Sequence, residues 1–326
     1  MSQDPEQLGG RERAEKVLDA MEHRGGGVPG FRRAHARGVS FRGHFEATPD
    51  AAELSTAEHL QGTQIETVVR LSNGAVSPYM ADRRTAKAGN TLGLAVRFEL
   101  PSGGYCIANG LSLKAFAART ADEFLALVEA QRPALPGGLP SPLRMVAFLV
   151  RHPHALKGVK NAATLAPTLS FATTRFNGMH AYYAVDRRGT RRPFRFRFMP
   201  LAGIAAMAAD NDAILPPQYL ISELCMRVER APVAWDLVFQ LGDRGDPTDD
   251  VTKLWPEERP LLRAGRLTID RLHEDEELVD GYVFDPTNVP PGIELSDDPL
   301  LHFRSHAYAE SRRRRADEAK PAIKPG

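Results

Sequence analysis

The apolar segments of this chain are short and joined by tight turns, and no helix recurs between one strand and the next. Residues 65–72 alternate apolar and polar positions and read as a strand. Leu92 to Leu100 is another, with Leu94, Val96 and Phe98 on one face. The turn Pro101-Ser102-Gly103-Gly104 leads back into Tyr105 to Ala108. Phe31 to Glu46 enters a first strand, and a second group covers Ser170 to Ala184, Pro193 to Met199 and Trp235 to Leu241. Helical spacing appears over Arg11 to His23 (Ala14, Val17, Leu18, Met21), which ends at Gly25-Gly26-Gly27, and over Ala121 to Ala130 (Phe124, Leu125, Val128). Leu143 to Leu156 and Pro217 to Val228 read as further helices, and Pro133 to Pro142 as a connector. Hairpin-linked strands without βαβ alternation predict an α+β chain, an antiparallel sheet or barrel with helices appended.

Composition narrows the class of function. Of 326 residues, 42% are hydrophobic and 25% charged, which is ordinary for a globular protein. A net charge of +1 gives no bulk electrostatic case for nucleic acid or an anionic membrane. No apolar run reaches the roughly 18 residues that a membrane helix needs. Cys106 and Cys225 lie far apart without metal-site spacing, so a reducing compartment is expected. The polar stretch Met1 to Arg24 lacks the apolar core of a secretory signal. Together these predict a cytoplasmic protein with no membrane and no nucleic-acid partner.

Four clusters can carry chemistry, and each has a bland alternative. Arg32-Arg33-Ala34-His35-Ala36-Arg37-Gly38 offers an imidazole that titrates near neutrality and could shuttle a proton, or a basic surface loop. Val69-Arg70-Leu71-Ser72 offers a guanidinium for a carboxylate and a hydroxyl for an imidazole, or an exposed strand face. Phe116-x-x-Arg119 followed by Phe124 offers two aromatic faces for a flat apolar ligand, or ordinary helix packing. The fourth follows a fixed order of turn residues: Phe284-Asp285-Pro286-Thr287-Asn288, Pro291-Gly292-Ile293-Glu294 and Ser296-Asp297-Asp298-Pro299. It is Arg304-Ser305-His306-Ala307-Tyr308. On a helix, residues four apart share a face, and a guanidinium beside a phenol favours the phenolate, the form that binds ferric iron.

These clusters, in this order, resemble the catalase superfamily, and the turn sequences resemble its short catalase-related haem peroxidases. Asp82-Arg83-Arg84 and Gly93-Leu94-Ala95-Val96-Arg97-Phe98 are similar to that family's scaffold motifs. The resemblance covers residues 28–130 and 280–315 well. It implies an eight-stranded antiparallel β-barrel with surrounding helices as a haem-binding core over residues 28–316, preceded by an N-terminal helix and extension at 1–27 and followed by a disordered tail at 317–326. It implies one non-covalent haem b with Tyr308 as the iron ligand, held by Arg304. His35 would move the peroxide proton and Ser72 would orient it. Arg32, Arg70 and Arg315 would bind propionates, and Phe116 and Phe124 would border the macrocycle. The implied partners are a peroxide, a small organic electron donor and further copies of the chain in a homo-oligomer.

The chain departs from the family where an asparagine should help orient the peroxide. Leu111 occupies that place in an ungapped reading, and Asn109, two residues away, could serve as the catalytic amide only if the loop shifts. Ala34 before His35 and Leu71 between Arg70 and Ser72 also make the pocket roomier and less polar, which favours a peroxidase over a catalase. Three alternatives predict different behaviour. A hydroperoxide isomerase resembling allene oxide synthases would need no reductant and release no oxygen. A non-enzymatic haem-binding protein would be indifferent to His35→Ala. A nucleic-acid module led by Arg312 to Arg315 would show steep salt dependence.

Overall fold

A computed structural model describes residues 5–82, 89–132, 141–208 and 215–318. Arg83 and Arg84 of the expected turn, most of the Pro133 to Pro142 connector and the tail beyond residue 318 lie outside the described residues. Ten strands form one sheet: β1 (Gly38–Ala47), β2 (Ile65–Asn73), β3 (Leu92–Glu99), β4 (Tyr105–Leu111), β5 (Phe176–Asn177), β6 (Tyr182–Val185), β7 (Arg191–Pro200), β8 (Val233–Leu241), β9 (Leu261–Leu272) and β10 (Ile293–Leu295). The order β7-β5-β4-β3-β2-β1-β9-β8 closes on itself through β7–β8 pairing. This is the expected eight-stranded antiparallel barrel, with β6 and β10 extending from β7.

Period-2 alternation explains why the barrel has a solid centre. Along β8, Val233, Trp235, Leu237 and Phe239 are buried, while Ala234, Asp236 and Val238 are partly open. They join Phe41, Phe45, Leu71, Leu94, Val96, Phe98, Phe198 and Leu267 in one cluster. The Trp235 indole satisfies its N–H on the Thr174 carbonyl at 3.3 Å. Each such large side chain stabilises by about 1.5–3 kcal/mol on burial, and Trp235→Ala would cost about 3–5 kcal/mol.

Strand β2 is buried on both faces. Val69 and Leu71 point into the barrel cluster, whereas Val68 packs with Val279 and Phe284 on the outer side. Alternation therefore sends Arg70 and Ser72 outward as well, into the space between barrel and helices.

The helices are α1 (Pro5–Gly25), α2 (Pro49–Leu54), α3 (Ala121–Ala130), α4 (Pro142–Arg151), α5 (Leu156–Ala163), α6 (Tyr219–Arg230), α7 (Glu276–Gly281) and α8 (Pro299–Asp317). Ala14, Val17, Leu18 and Met21 of α1 pack with Ala121 and Val128 of α3 and with Leu300 and Phe303 of α8. The expected helix from Leu143 to Leu156 is instead two helices. Pro153 clashes with a helical residue before it, and His152 accordingly sits at φ −130°, ψ 66°. The expected strand segment from Ser170 to Ala184 begins with a 3-10 turn at Phe171–Thr173 and continues as the short β5 and β6.

Candidate active site

The site is organised by helix α8. Asp298 caps its start, accepting from the N–H groups of Leu300 and Leu301 at 2.9 and 3.3 Å, with Pro299 at the first helical position. Two turns on, Arg304 and Tyr308 share a face, and Arg304 Nη2 donates to the Tyr308 oxygen at 2.8 Å. Arg304 Nη1 donates to His180 Nε2 at 3.1 Å, and His180 Nδ1 faces Asp298 Oδ2 at 2.7 Å. Asp298 and His180 are buried.

The chain Asp298–His180–Arg304–Tyr308 thus closes back onto the cap of the helix that carries Tyr308. Burial and the neighbouring Arg304 outweigh Asp298 and hold His180 below its ordinary pKa, so the neutral ring donates from Nδ1 and accepts at Nε2. Burial opposes the Arg304 charge, but the Tyr308 oxygen more than offsets it and the net shift is upward. Hydrogen bonds to charged groups of this kind contribute about 1.5–3 kcal/mol each. Neither His180 nor Asp298 was expected from the sequence as part of the site.

Across the cavity stands His35. Its Nδ1 lies 2.9 Å from the Ser72 hydroxyl, and Nε2 has no hydrogen-bond partner among the described residues. Its φ of 54° is left-handed, the sole such value at a non-glycine among the described residues, so local strain here is held by tertiary contacts. The ring fits because Gly93, paired with Ser72 across β2–β3, has no side chain: a Cβ there would lie 2.6 Å from His35 Cε1. Protein atoms ring the imidazole although part of it lines the cavity. Burial first, then Arg70, Arg304 and Arg32, push its pKa down to about 3, so it is a neutral base at ordinary pH.

Guanidinium groups gather along one rim. Arg70, on β2, has no hydrogen-bond or ion-pair partner among the described residues, and burial and Arg32 hold its pKa down to about 9. Arg315 is alike, held down to about 10 by burial and then Arg32. Arg32 donates through Nη2 to the carbonyls of Val279 and Tyr282, both at 3.2 Å, while Nη1 is buried with no hydrogen bond. Three cations repelling one another beside a cavity form a receptor for anionic groups. Two other members of the four-arginine run are occupied elsewhere: Arg313 and Arg314 pair with Glu310 at 2.7 and 2.8 Å, and Arg314 also reaches Asp19 on α1.

All the residues expected from the sequence line one cavity of about 270 Å³, far above the roughly 10–15 Å³ that a single buried water needs. Its other walls are apolar, among them Leu18, Met21, Ala34, Leu111, Met179 and Phe303. Phe116 and Phe124 meet there with ring centroids 5.6 Å apart.

Asn109 is where the structure departs from expectation. The β3–β4 register runs without a shift and pairs Gly93 with Leu111 and Ala95 with Asn109. Leu111 therefore stands beside the Gly93 that makes room for His35. Asn109, two residues earlier on the same strand face, lies nearer Tyr308 instead, its amide donating to the Phe284 carbonyl at 2.7 Å and, more weakly, to the Tyr308 oxygen at 3.4 Å.

A family model for catalase matches residues 18–322 of this chain. The chain is 34% identical over 300 residues to a catalase-related peroxidase of Mycolicibacterium paratuberculosis, a match spanning 91% of this chain and 93% of that protein. It is 31% identical over 298 residues to a catalase-related peroxidase of Synechococcus elongatus, spanning 91% and 87%. Among solved structures, a bacterial catalase aligns with a TM-score of 0.77 at 24% identity, covering 88% of this chain but 58% of the larger one, a likeness that bears on the fold alone. A closed barrel, an Arg-paired tyrosine on the last helix and sequence identity across nine-tenths of two short relatives converge: this chain belongs to the catalase family.

Proposed function

We propose that this protein is a haem-dependent oxidoreductase that cleaves peroxides, working mainly as a peroxidase. One observation carries the reading: a neutral imidazole with a free Nε2 faces, across one cavity, a phenol bonded to a buried guanidinium. The residues fit a haem. Tyr308 supplies an anionic oxygen for iron. Arg70 and Arg315, which have no hydrogen-bond or ion-pair partner among the described residues, and Arg32, whose Nη1 makes no hydrogen bond and only a 3.6 Å ion pair with Asp280, match two propionates. Phe116 and Phe124 flank a flat apolar body. Cys106 and Cys225 do not line the cavity, which favours a non-covalent b-type group.

When bound, the haem supplies the iron that takes up a peroxide oxygen and exchanges electrons with it. The chain supplies the rest. With Nδ1–H turned to the Ser72 oxygen, His35 keeps a lone pair on Nε2. That nitrogen takes the proton from the near oxygen of the peroxide and returns it to the far oxygen as the O–O bond breaks. Arg304, held by His180 and Asp298, would fix the position of the Tyr308 oxygen as the ligand to ferric iron. Leu111 and Ala34 offer the peroxide no amide on the His35 side, which weakens the hold on a second hydrogen peroxide. An organic donor, or an organic hydroperoxide as substrate, is favoured accordingly.

The test uses full-length protein expressed with haem supply. Absorption spectra are followed by hydrogen peroxide addition at an oxygen electrode, and by an organic hydroperoxide with a phenolic donor. A tyrosine-ligated ferric spectrum, donor oxidation and little oxygen are expected. Dominant oxygen release would make the protein a catalase, and failure to take up haem would overturn the reading.

A further inference from the structure

Outside the cavity, Glu123 of α3 meets the two histidines that flank Pro153 at the break between α4 and α5. One donor atom from each of Glu123, His152 and His154 lies within 4.8 Å of the others. His154 Nε2 is 2.9 Å from Glu123 Oε2, and His152 Nδ1 is 3.7 Å from Glu123 Oε1. The side chains are 12%, 23% and 21% exposed, so the cluster is sheltered yet reachable. Phe148 packs on the His152 ring at 4.8 Å, and the His154 ring meets its edge at 5.9 Å, which fixes both imidazoles. The peroxide chemistry has no use for any of the three.

We infer that Glu123, His152 and His154 bind a divalent cation of the zinc class. Two imidazoles and one carboxylate form a borderline-soft donor set suited to zinc and its neighbours; calcium and magnesium prefer oxygen alone. Bond lengths of about 2.0–2.1 Å in a tetrahedral site put ligand atoms about 3.3 Å apart; the imidazoles stand 2.9 Å from one carboxylate oxygen and 3.7 Å from the other, and the three donor atoms lie within 4.8 Å of one another. Small side-chain rotations bring all three donors onto one ion, leaving the fourth position to water.

The carboxylate already has outer partners that orient a metal ligand. The Arg119 backbone N–H donates to Oε2 at 2.9 Å and its guanidinium to Oε1 at 3.0 Å. Arg119 is 42% exposed, so its charge can turn toward solvent when the cation arrives. The bound ion would clamp α3 to the α4–α5 break, directly behind Phe124 in the cavity wall.

The experiment treats the full-length protein with a chelator, then equilibrates it with Zn2+, measures retained zinc and follows thermal unfolding. The expected result is one zinc per chain and a raised unfolding temperature. His152→Ala and His154→Gln should each weaken zinc binding by on the order of 10–100-fold. His44→Ala, a surface histidine 3.6 Å from Asp270, should bind as the parent does. The cofactor absorption spectrum reports that each variant is folded, and it separates loss of zinc from any failure of the peroxide reading. If the parent retains no zinc, or the cluster variants retain as much as His44→Ala, the trio is only an ion pair around Arg119 and the inference is wrong.

Discussion

The two faces of the cavity are built on opposite plans. On the Tyr308 side, four polar groups from α8 and the β5–β6 segment hold one another in a buried line that ends in the helix cap. On the His35 side, one hydrogen bond to Ser72, a left-handed backbone and a missing Gly93 side chain position a single ring. A face that must keep a charged ligand needs every partner satisfied, because an unpaired buried charge is costly. A face that must move a proton needs one nitrogen left bare. The difference teaches that rigidity belongs to the ligand and vacancy to the acid–base group.

Tyr308→Phe tests the first face most severely. It removes the oxygen that Arg304 and Asn109 both approach, and haem loading or the ferric spectrum should be lost; normal loading with an unchanged spectrum would end the assignment of Tyr308 as ligand. His35→Ala should leave haem bound and slow peroxide cleavage by roughly 10² or more, measured by stopped-flow. If haem is lost as well, the two faces are not separable.

Asp298→Ala leaves the α8 cap and His180 without their acceptor and should destabilise the protein by about 3 kcal/mol in urea melts. A change below about 0.5 kcal/mol would show that the line does not begin at Asp298. Ser72→Ala removes one hydrogen bond of about 1 kcal/mol and should slow peroxide cleavage only about fivefold. An effect as large as that of His35→Ala would mean the His35 face is as interlocked as the other.

The pH dependence sharpens the contrast further. Because burial holds His35 to a pKa of about 3, cleavage should show no His35 limb near pH 6.5; an acid limb there would contradict the neutral, enclosed imidazole. A depressed histidine binds its proton more readily in the unfolded chain. Its contribution to stability is therefore complete above about pH 6.5 and declines as pH falls toward 3.

The Tyr308 pair could be read from sequence because it is local: two residues four apart on one helix. The barrel was legible through β2, β3 and β4, with Leu94, Val96 and Phe98 alternating along β3 and a Pro-Ser-Gly-Gly turn leading into β4. Strand β9 escaped notice because its outward positions carry Arg263, Arg266 and Asp270, so its apolar face reads as charged loop. His180 gave no signal, since its partners lie 118 and 124 residues away. Asp298 before Pro299 is a legible cap, but its second contact is not. His35 with Ser72 needed family resemblance, because the contact joins residues 37 apart across a loop and a strand. Whether Leu111 or Asn109 stands beside His35 was open for want of register, which the strand pairing alone supplies.

Arg33 is buried two residues before His35, where Glu22 of α1 and Glu318 at the far end of the described chain close on it from both sides. Arg33 thus ties the loop that lines the cavity to α1 and to the residue that ends α8. Loosening either carboxylate would leave a buried, half-paired guanidinium at the cavity wall, so a disturbance of α1 or of the end of α8 would reach His35 as charge rather than as packing.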